Sequence, residues 1–315
     1  MKEVIAPIDR NILKQELEKS HFLRPTHKAG NLIYDITAHE APHVMTEIGR
    51  LRELSFRSGG GGSGQEVDID HFDTMEQPYH QLIVWDPDGE AIIGGYRFLQ
   101  GSETQLLANG QPNVVGAHMF HFCDEYIKNY MPYTTELGRA FVQPAYQNLD
   151  AGIKSMFALD NLWDGLGALV YDNPNIKYLI GKVTIYPSYN ALARDLIYEY
   201  LHRFFPGNLD LIITKHPITT SPMAKETANR IFMGSDQKLN YKILQKAVRE
   251  LGETIPPLFS AYIGLSPTMQ TFGTGINDEF ADIYDTGIMI TIADIFADKK
   301  ERYIDTYKDY LATIK

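Results

Sequence analysis

Apolar residues recur at helical spacing in ILKQELEKSHFL (12–23) and in VMTEIGRLRELSF (44–56), where Met45, Ile48, Leu51 and Phe56 share a face. The same pattern predicts helices over 158–173, 190–205 (closed by Pro206-Gly207), 238–251 and 298–314. Runs rich in β-branched and aromatic residues predict strands in NLIYDITA (31–38), TTELGRAFV (134–142), KYLIGKVTIY (177–186), LDLIITK (209–215) and YDTGIMITIADI (284–295). YHQLIVWDPDGEAIIGGYRFL (79–99) reads as a hairpin, because Asp86-Pro87-Asp88-Gly89 is a strong turn between two strand-like runs. The order β, α, antiparallel hairpin, β, α, β, α, β predicts an α+β layer fold, not a regular βαβ winding.

Composition narrows the function classes. A chain of 315 residues makes either one large elaborated domain or two small ones, and 44% hydrophobic with 22% charged residues is ordinary for a soluble globular protein. A formal net charge of −11 argues against a general nucleic-acid binder. The single cysteine, Cys123, excludes an internal disulfide framework and fits a reducing compartment. The opening MKEVIAPIDRNILKQELEKS carries charges where a signal peptide needs an apolar run, and no window reaches the roughly 18 apolar residues of a spanning helix. The expectation is a soluble, cytoplasmic protein, with peripheral contact at the inner membrane left open.

Several motifs fail on inspection. His39-Glu40-Ala41-Pro42-His43 matches H-E-x-x-H, but Pro42 interrupts the helical turn that two zinc-binding histidines would need, so these residues should form the turn entering the 44–56 helix. His118 and His121 have no carboxylate or thiol at ligand spacing, and no metal is expected. The run SGGGGSG (58–64) lacks the Lys-Ser/Thr of a phosphate loop and reads as a flexible surface segment.

Two mixtures of charge and apolar residue resist such dismissal. In EVDIDHFD (66–73), Val67, Ile69 and Phe72 alternate with acids, so one set should pack while Asp68, Asp70 or Asp73 faces a cleft. In Glu136-Leu137-Gly138-Arg139, two charges three apart fall on opposite faces of a strand unless Gly138 supplies a bulge. A buried salt bridge and an active site explain that pair equally well.

Taken in order, Arg52-x-x-x-Phe56, Asp70-x-x-Asp73, Arg97 at the end of GGYRFL, and Glu136-x-x-Arg139 in ELGRAFV resemble the acyl-homoserine-lactone synthases. They are still more similar to the bacterial amino-acid N-acyltransferases of the ornithine-lipid and glycine-lipid type, which are also labelled hemolysins. The tail IPPLFSAYIGL…DEFADIYDTGIMITIADI and the lack of a tryptophan between Phe56 and the acids favour the lipid type. The resemblance implies a GNAT-like fold, a mixed central sheet flanked by helices. It suggests an N-terminal helical segment over 1–29, an acyltransferase core over 30–215 and a C-terminal extension over 216–315.

The resemblance further implies transfer of a 3-hydroxy fatty acyl chain from acyl carrier protein to the α-amine of an amino acid, glycine first and ornithine second. No cofactor would be bound. FVQPAYQNLDAGIKS lacks the spacing of a pyrophosphate loop, which fits a carrier-protein thioester better than free acyl-CoA. An acidic carrier needs a basic patch, for which Lys177, Lys182, Arg194 and Arg203 are candidates. Glu136 is the candidate general base. Asp70 and Asp73 would hold the acceptor's ammonium group or order Arg52, Arg97 and Arg139, and an arginine would receive its carboxylate. Gly138 would let backbone N–H groups approach the thioester oxygen, and Phe56 and Phe141 complete the substrate-binding set. The glycines would then act as the hinge of a loop closing over the site. Two rival readings are a non-catalytic acyl-chain or carrier-protein binding module and a lactone-type synthase. Another treats the Arg/Asp/Glu set as a buried network that only fixes the fold.

Overall fold

The computed structural model describes residues 1–148 and 152–314. Its strands are β1 (His21–Pro25), β2 (Leu32–Ile36), β3 (His80–Asp86), β4 (Ala91–Gln100), β5 (Phe120–Phe122), β6 (Thr134–Val142), β7 (Tyr178–Ile185), β8 (Ile212–Thr214), β9 (Gln270–Asn277) and β10 (Ile283–Thr291). Its helices are α1 (Arg10–Leu17), α2 (Pro42–Ser58), α3 (His71–Thr74), α4 (Asp124–Asn129), α5 (Ile153–Asp172), α6 (Ala191–Phe204), α7 (Pro222–Ile231), α8 (Gln237–Glu250), α9 (Pro257–Ile263), α10 (Ala297–Lys300) and α11 (Thr306–Ile314). None of the helices described is long and apolar enough to cross a membrane.

The chain forms two compact units. One comprises 1–104, 133–177 and 296–315, the other 105–132 and 178–295. These bounds cut across the consecutive segments 1–29, 30–215 and 216–315.

In the first unit the strands lie in the order β1, β2, β3, β4, β6, each antiparallel to its neighbour. α2 packs on one face, where Val44, Met45, Ile48 and Leu51 join Ile83, Trp85 and Phe141 in a core. α5 covers the other face. A Cβ on its Gly165 would stand 2.6 Å from Leu82, so glycine is what brings that helix so close to β3. The predicted helix over 12–23 stops at Leu17, and Phe22 and Leu23 belong to β1, where Phe22 pairs with Tyr34 of β2. The Ser20 hydroxyl donates to the Glu16 carbonyl at 2.8 Å, and strand pairing then overrides the helical spacing. The predicted helix over 298–314 is broken by a π-helical turn, Glu301–Asp305, whose Tyr303 carbonyl accepts from Arg24 at 3.3 Å.

In the second unit β10 lies between β7 and β9, and β5 pairs with β8. The helices α6 and α8 and Phe232 meet around Tyr200, whose ring lies within 6.0 Å of those of Phe204, Phe205, Phe232 and Tyr241. β9 was not legible in QTFGTGIN, where glycine and threonine dilute the apolar alternation. A Cβ on Gly275 would lie 2.9 Å from Thr214 and 3.0 Å from Met119, so small residues are what this strand needs.

Candidate active site

Strand register assembles the site. The Asp86–Gly89 turn sets Gln81 opposite Arg97, and β4 in turn sets Arg97 opposite Gly138 and Leu99 opposite Glu136. Gln81, Arg97 and Gly138 therefore form one row across three strands, on the face that α2 covers. Tyr79, one residue before β3, continues the register beside Leu99 and makes a second row that ends at Glu136.

β6 carries a bulge next to these rows. Gly95 faces Phe141 and Arg97 faces Gly138, so Arg139 and Ala140 together oppose the single residue Tyr96. The strain sits on Arg139, at φ +49°, and not on Gly138, where the sequence suggested it. The extra residue shifts the alternation of side chains along the strand, which is how Glu136 and Arg139, three apart, come to serve one site.

The spacing Asp70-x-x-Asp73 is a helix start. Asp70 accepts from the N–H groups of Phe72 (3.0 Å) and Asp73 (3.3 Å), and Asp73 accepts from the N–H of Asp70 (3.1 Å), a reciprocal capping box on α3. Gly49 lets this segment lie against α2, since a Cβ there would meet Ile69 at 2.6 Å. The remaining carboxylate valence goes to arginine. Arg52 donates to both oxygens of Asp73 (3.2 and 3.3 Å) and to Gln81, while Arg97 donates to Asp70 (2.8 and 2.9 Å) and to Asp73 (3.2 Å). Arg139 pairs with buried Asp68 at 2.8 Å and, more loosely, with Asp70 at 3.6 Å. The acids thus order the three arginines, one of the two roles expected of them.

Electrostatics follow from that geometry. Burial pushes the Asp73 carboxyl up, but the Arg52 and Arg97 guanidiniums outweigh it and hold it well below the usual range. The two arginines move in opposite directions. Burial lowers Arg52, which has Asp73 as its main counter-charge and is opposed by Arg97 and Arg139. Arg97, equally buried, is raised because Asp73, Asp70 and Asp68 surround it. Both stay charged, and each keeps one N–H, Nε, without a hydrogen-bond partner among the described residues. Arg97 Nε lies 3.5 Å, and its Cγ 3.6 Å, from the point where a Gly138 Cβ would stand. Gly138 therefore brings β6 into contact with the buried Arg97 side chain, with Glu136 two residues along the same strand.

Glu136 accepts from the hydroxyl of Tyr79, which is fully buried. Arg97 stacks over the Tyr79 ring at 5.3 Å. Tyr79 and Gln81 are the residues sequence reading missed. Their signal was a polar pair in an otherwise apolar strand, visible only once the hairpin register is drawn.

The glycine segment folds as a closed turn over Glu53. Glu53 is buried beneath it and accepts from the N–H of Ser63 (2.9 Å), the Ser63 hydroxyl (2.7 Å), the N–H of Gly64 (2.8 Å) and Arg57 (2.6 Å). Gly60, Gly62 and Gly64 have φ between +72° and +104°, which is what the tight path over Glu53 demands. Phe141 packs in the core, and Phe56 sits half-buried with Arg139 6.0 Å above its ring.

Other candidates resolve simply. α2 starts at Pro42, as the turn reading of 39–43 required, with His43 bonded to Glu16 at 2.6 Å and His39 to the Met75 carbonyl at 3.0 Å. Cys123 caps α4, accepting from the Tyr126 N–H at 3.3 Å. Of the basic residues suggested for docking, Lys182 pairs with Asp285 at 3.1 Å and Arg194 with Asp195 at 2.8 Å, so neither offers uncompensated charge. Lys177 and Arg203 are exposed.

An acetyltransferase (GNAT) domain model matches residues 51–155, which take in the second half of α2, the acid segment, the hairpin and β6. A glycine N(alpha)-acyltransferase of Phocaeicola vulgatus is 50% identical over 307 residues, 98% of this chain and 94% of that one. Another, of Bacteroides thetaiotaomicron, is also 50% identical over 307 residues, 98% of this chain and 91% of that one. Among solved structures, the CoA-dependent acyl-homoserine lactone synthase BjaI with SAM and isopentyl-CoA aligns over 90% of each chain at 12% identity, with a TM-score of 0.38. A likeness at that level transfers no residue roles.

Proposed function

The chain belongs to the family of the glycine N(alpha)-acyltransferases, N-acyltransferases with a GNAT domain, and from that premise we propose that it acylates the α-amine of glycine with a 3-hydroxy fatty acyl chain delivered as a thioester on acyl carrier protein. The N-acyl glycine formed is an aminolipid, or the precursor of one. The observation that carries the reading is the grouping of Glu136, the bulge of β6 and the Arg97 side chain, whose Nε has no hydrogen-bond partner among the described residues.

In this reading Glu136 accepts a proton from the attacking amine, directly or through a water. The C–N bond forms as the thioester C–S bond breaks, and the proton passes to the departing thiolate. The bulge takes Arg139 and Ala140 out of ladder register with β4, and the Ala140 N–H serves as a donor to the developing oxyanion. Glycine's carboxylate accepts from Arg97 Nε. Asp68, Asp70, Asp73 and Gln81 hold the arginines in place, so the acid-rich segment works at one remove from substrate. Lys177 and Arg203 remain as contacts for an acidic carrier.

The test is thiol release from 3-hydroxypalmitoyl carrier protein by the purified enzyme, one amino acid at a time, with product masses read by mass spectrometry. Release with glycine and the mass of N-acyl glycine are expected. Release only with ornithine would move the acceptor, and release only from acyl-CoA would move the donor. No release from a folded protein that binds carrier would leave a binding module in place of the enzyme.

A further inference from the structure

Tyr79 is the buried phenol in this face of the sheet that contacts Glu136, and four constraints fix it. Its N–H donates to the Phe72 carbonyl at 2.9 Å, and its carbonyl accepts from Gln81 Nε2 at 3.1 Å. Its ring meets that of Phe72 edge-on at 5.8 Å, and the Arg97 guanidinium lies over it at 5.3 Å. The hydroxyl of this held ring donates to Glu136 Oε2. Gln81 bonds Arg52, Asp73 and the Tyr79 carbonyl together, so the carboxylate on β6 is tied through Tyr79 to the whole arginine–aspartate array.

We infer that Tyr79 is a positioning residue for N-acyl transfer, its hydroxyl fixing one oxygen of Glu136 and holding that group as the ionised carboxylate that receives the amine's proton. The inference rests on the role of Glu136 given above. A hydrogen bond to the charged form favours it. The array of arginines and aspartates then serves a second purpose, because it sets the ring that aims the base.

The charged and titratable groups on the elements around Glu136 include Arg97 on β4, Glu103 in the turn after it, Asp68, Asp70, His71 and Asp73 before β3, His80 on β3's opposite face, Arg52 on α2, and Arg139 on its own strand. All are retained in Tyr79→Phe, so a change in titration reports the lost hydroxyl. The experiment compares wild type, Tyr79→Phe, Glu136→Gln and the double variant, by thiol release across pH and by infrared difference titration of the carboxylate that Glu136→Gln removes. Tyr79→Phe should lower kcat about 10- to 100-fold with KM for the acceptor nearly unchanged. The acid limb of its profile and the infrared titration of Glu136 should both move to higher pH, and Tyr79→Phe should cost nothing further in the Glu136→Gln background. Unchanged titration of Glu136, or a loss that adds fully to Glu136→Gln and follows the melting temperature, would overturn the inference. A wild type without turnover would defeat the functional reading alone, since the infrared titration still reports whether the hydroxyl holds Glu136.

Discussion

Two clusters of buried charge in the first unit are built from similar parts and behave oppositely. At the site, Asp73 sits between Arg52 and Arg97. Beside α5, Asp164 holds His27 by Nδ1 (2.6 Å) and by its backbone N–H (3.1 Å), while Asp160 meets His27 Nε2 at 3.5 Å, Arg302 at 2.5 Å and the Tyr303 hydroxyl at 2.7 Å. Both aspartates are buried. Asp73 is nonetheless driven well below the usual carboxylate range, and Asp164 is raised above it, because burial outweighs the bonds from His27. The difference lies in the partner. Two guanidiniums are charged at every working pH, whereas an imidazole is charged only when protonated. Asp73 lies between two guanidiniums, whereas Asp164, in the cluster that fastens the C-terminal segment to α5, has an imidazole as its bonded partner.

Two substitutions sharpen the comparison. Asp73→Asn leaves two buried guanidiniums short of counter-charge and is expected to cost about 3–5 kcal/mol near pH 7, read by denaturant unfolding. Because the folded value of Asp73 is depressed, its stabilisation is present above the unfolded value of ~3.9 and is lost as pH falls below it. Wild type and variant should therefore converge in acid. Asp164→Asn is the smaller change, about 1 kcal/mol, since a neutral amide replaces an acid that burial already discourages from ionising. Its pH dependence has the opposite sign. The folded value is raised, so the contribution of Asp164 is full below ~3.9 and is lost as pH rises through the folded value. Unfolding curves of the variant should be flatter over that interval. Equal slopes for the two variants would remove the contrast.

Much of this was legible in the chain. The Asp86–Gly89 turn predicted β3 and β4, TTELGRAFV matches β6 residue for residue, and all of Arg52, Asp70, Asp73, Arg97, Glu136 and Arg139 meet in the first unit. What escaped depended on pairing across the sheet. Asp70-x-x-Asp73 carried a capping spacing, but its use as a scaffold for arginine appears only when β4 and α2 are brought to it. The bulge falls on an arginine in the left-handed region, where glycine would have been the guess, because the ion pair with Asp68 and the Phe56 ring hold that residue. Tyr79 and Gln81 looked like ordinary strand residues until register set them beside Glu136 and Arg97. The glycine run looked loose because Glu53, which closes it, sits inside a helix and gave no local sign of its partner.

The most direct measurement is thiol release by Glu136→Gln against wild type, at saturating acyl carrier protein thioester and glycine, with the melting temperature of each. The account predicts a loss of roughly 10²–10⁴-fold in kcat with melting nearly unchanged, as befits a half-buried base bonded to Tyr79. A variant that turns over like wild type, or one that loses activity only because it no longer folds, would contradict it.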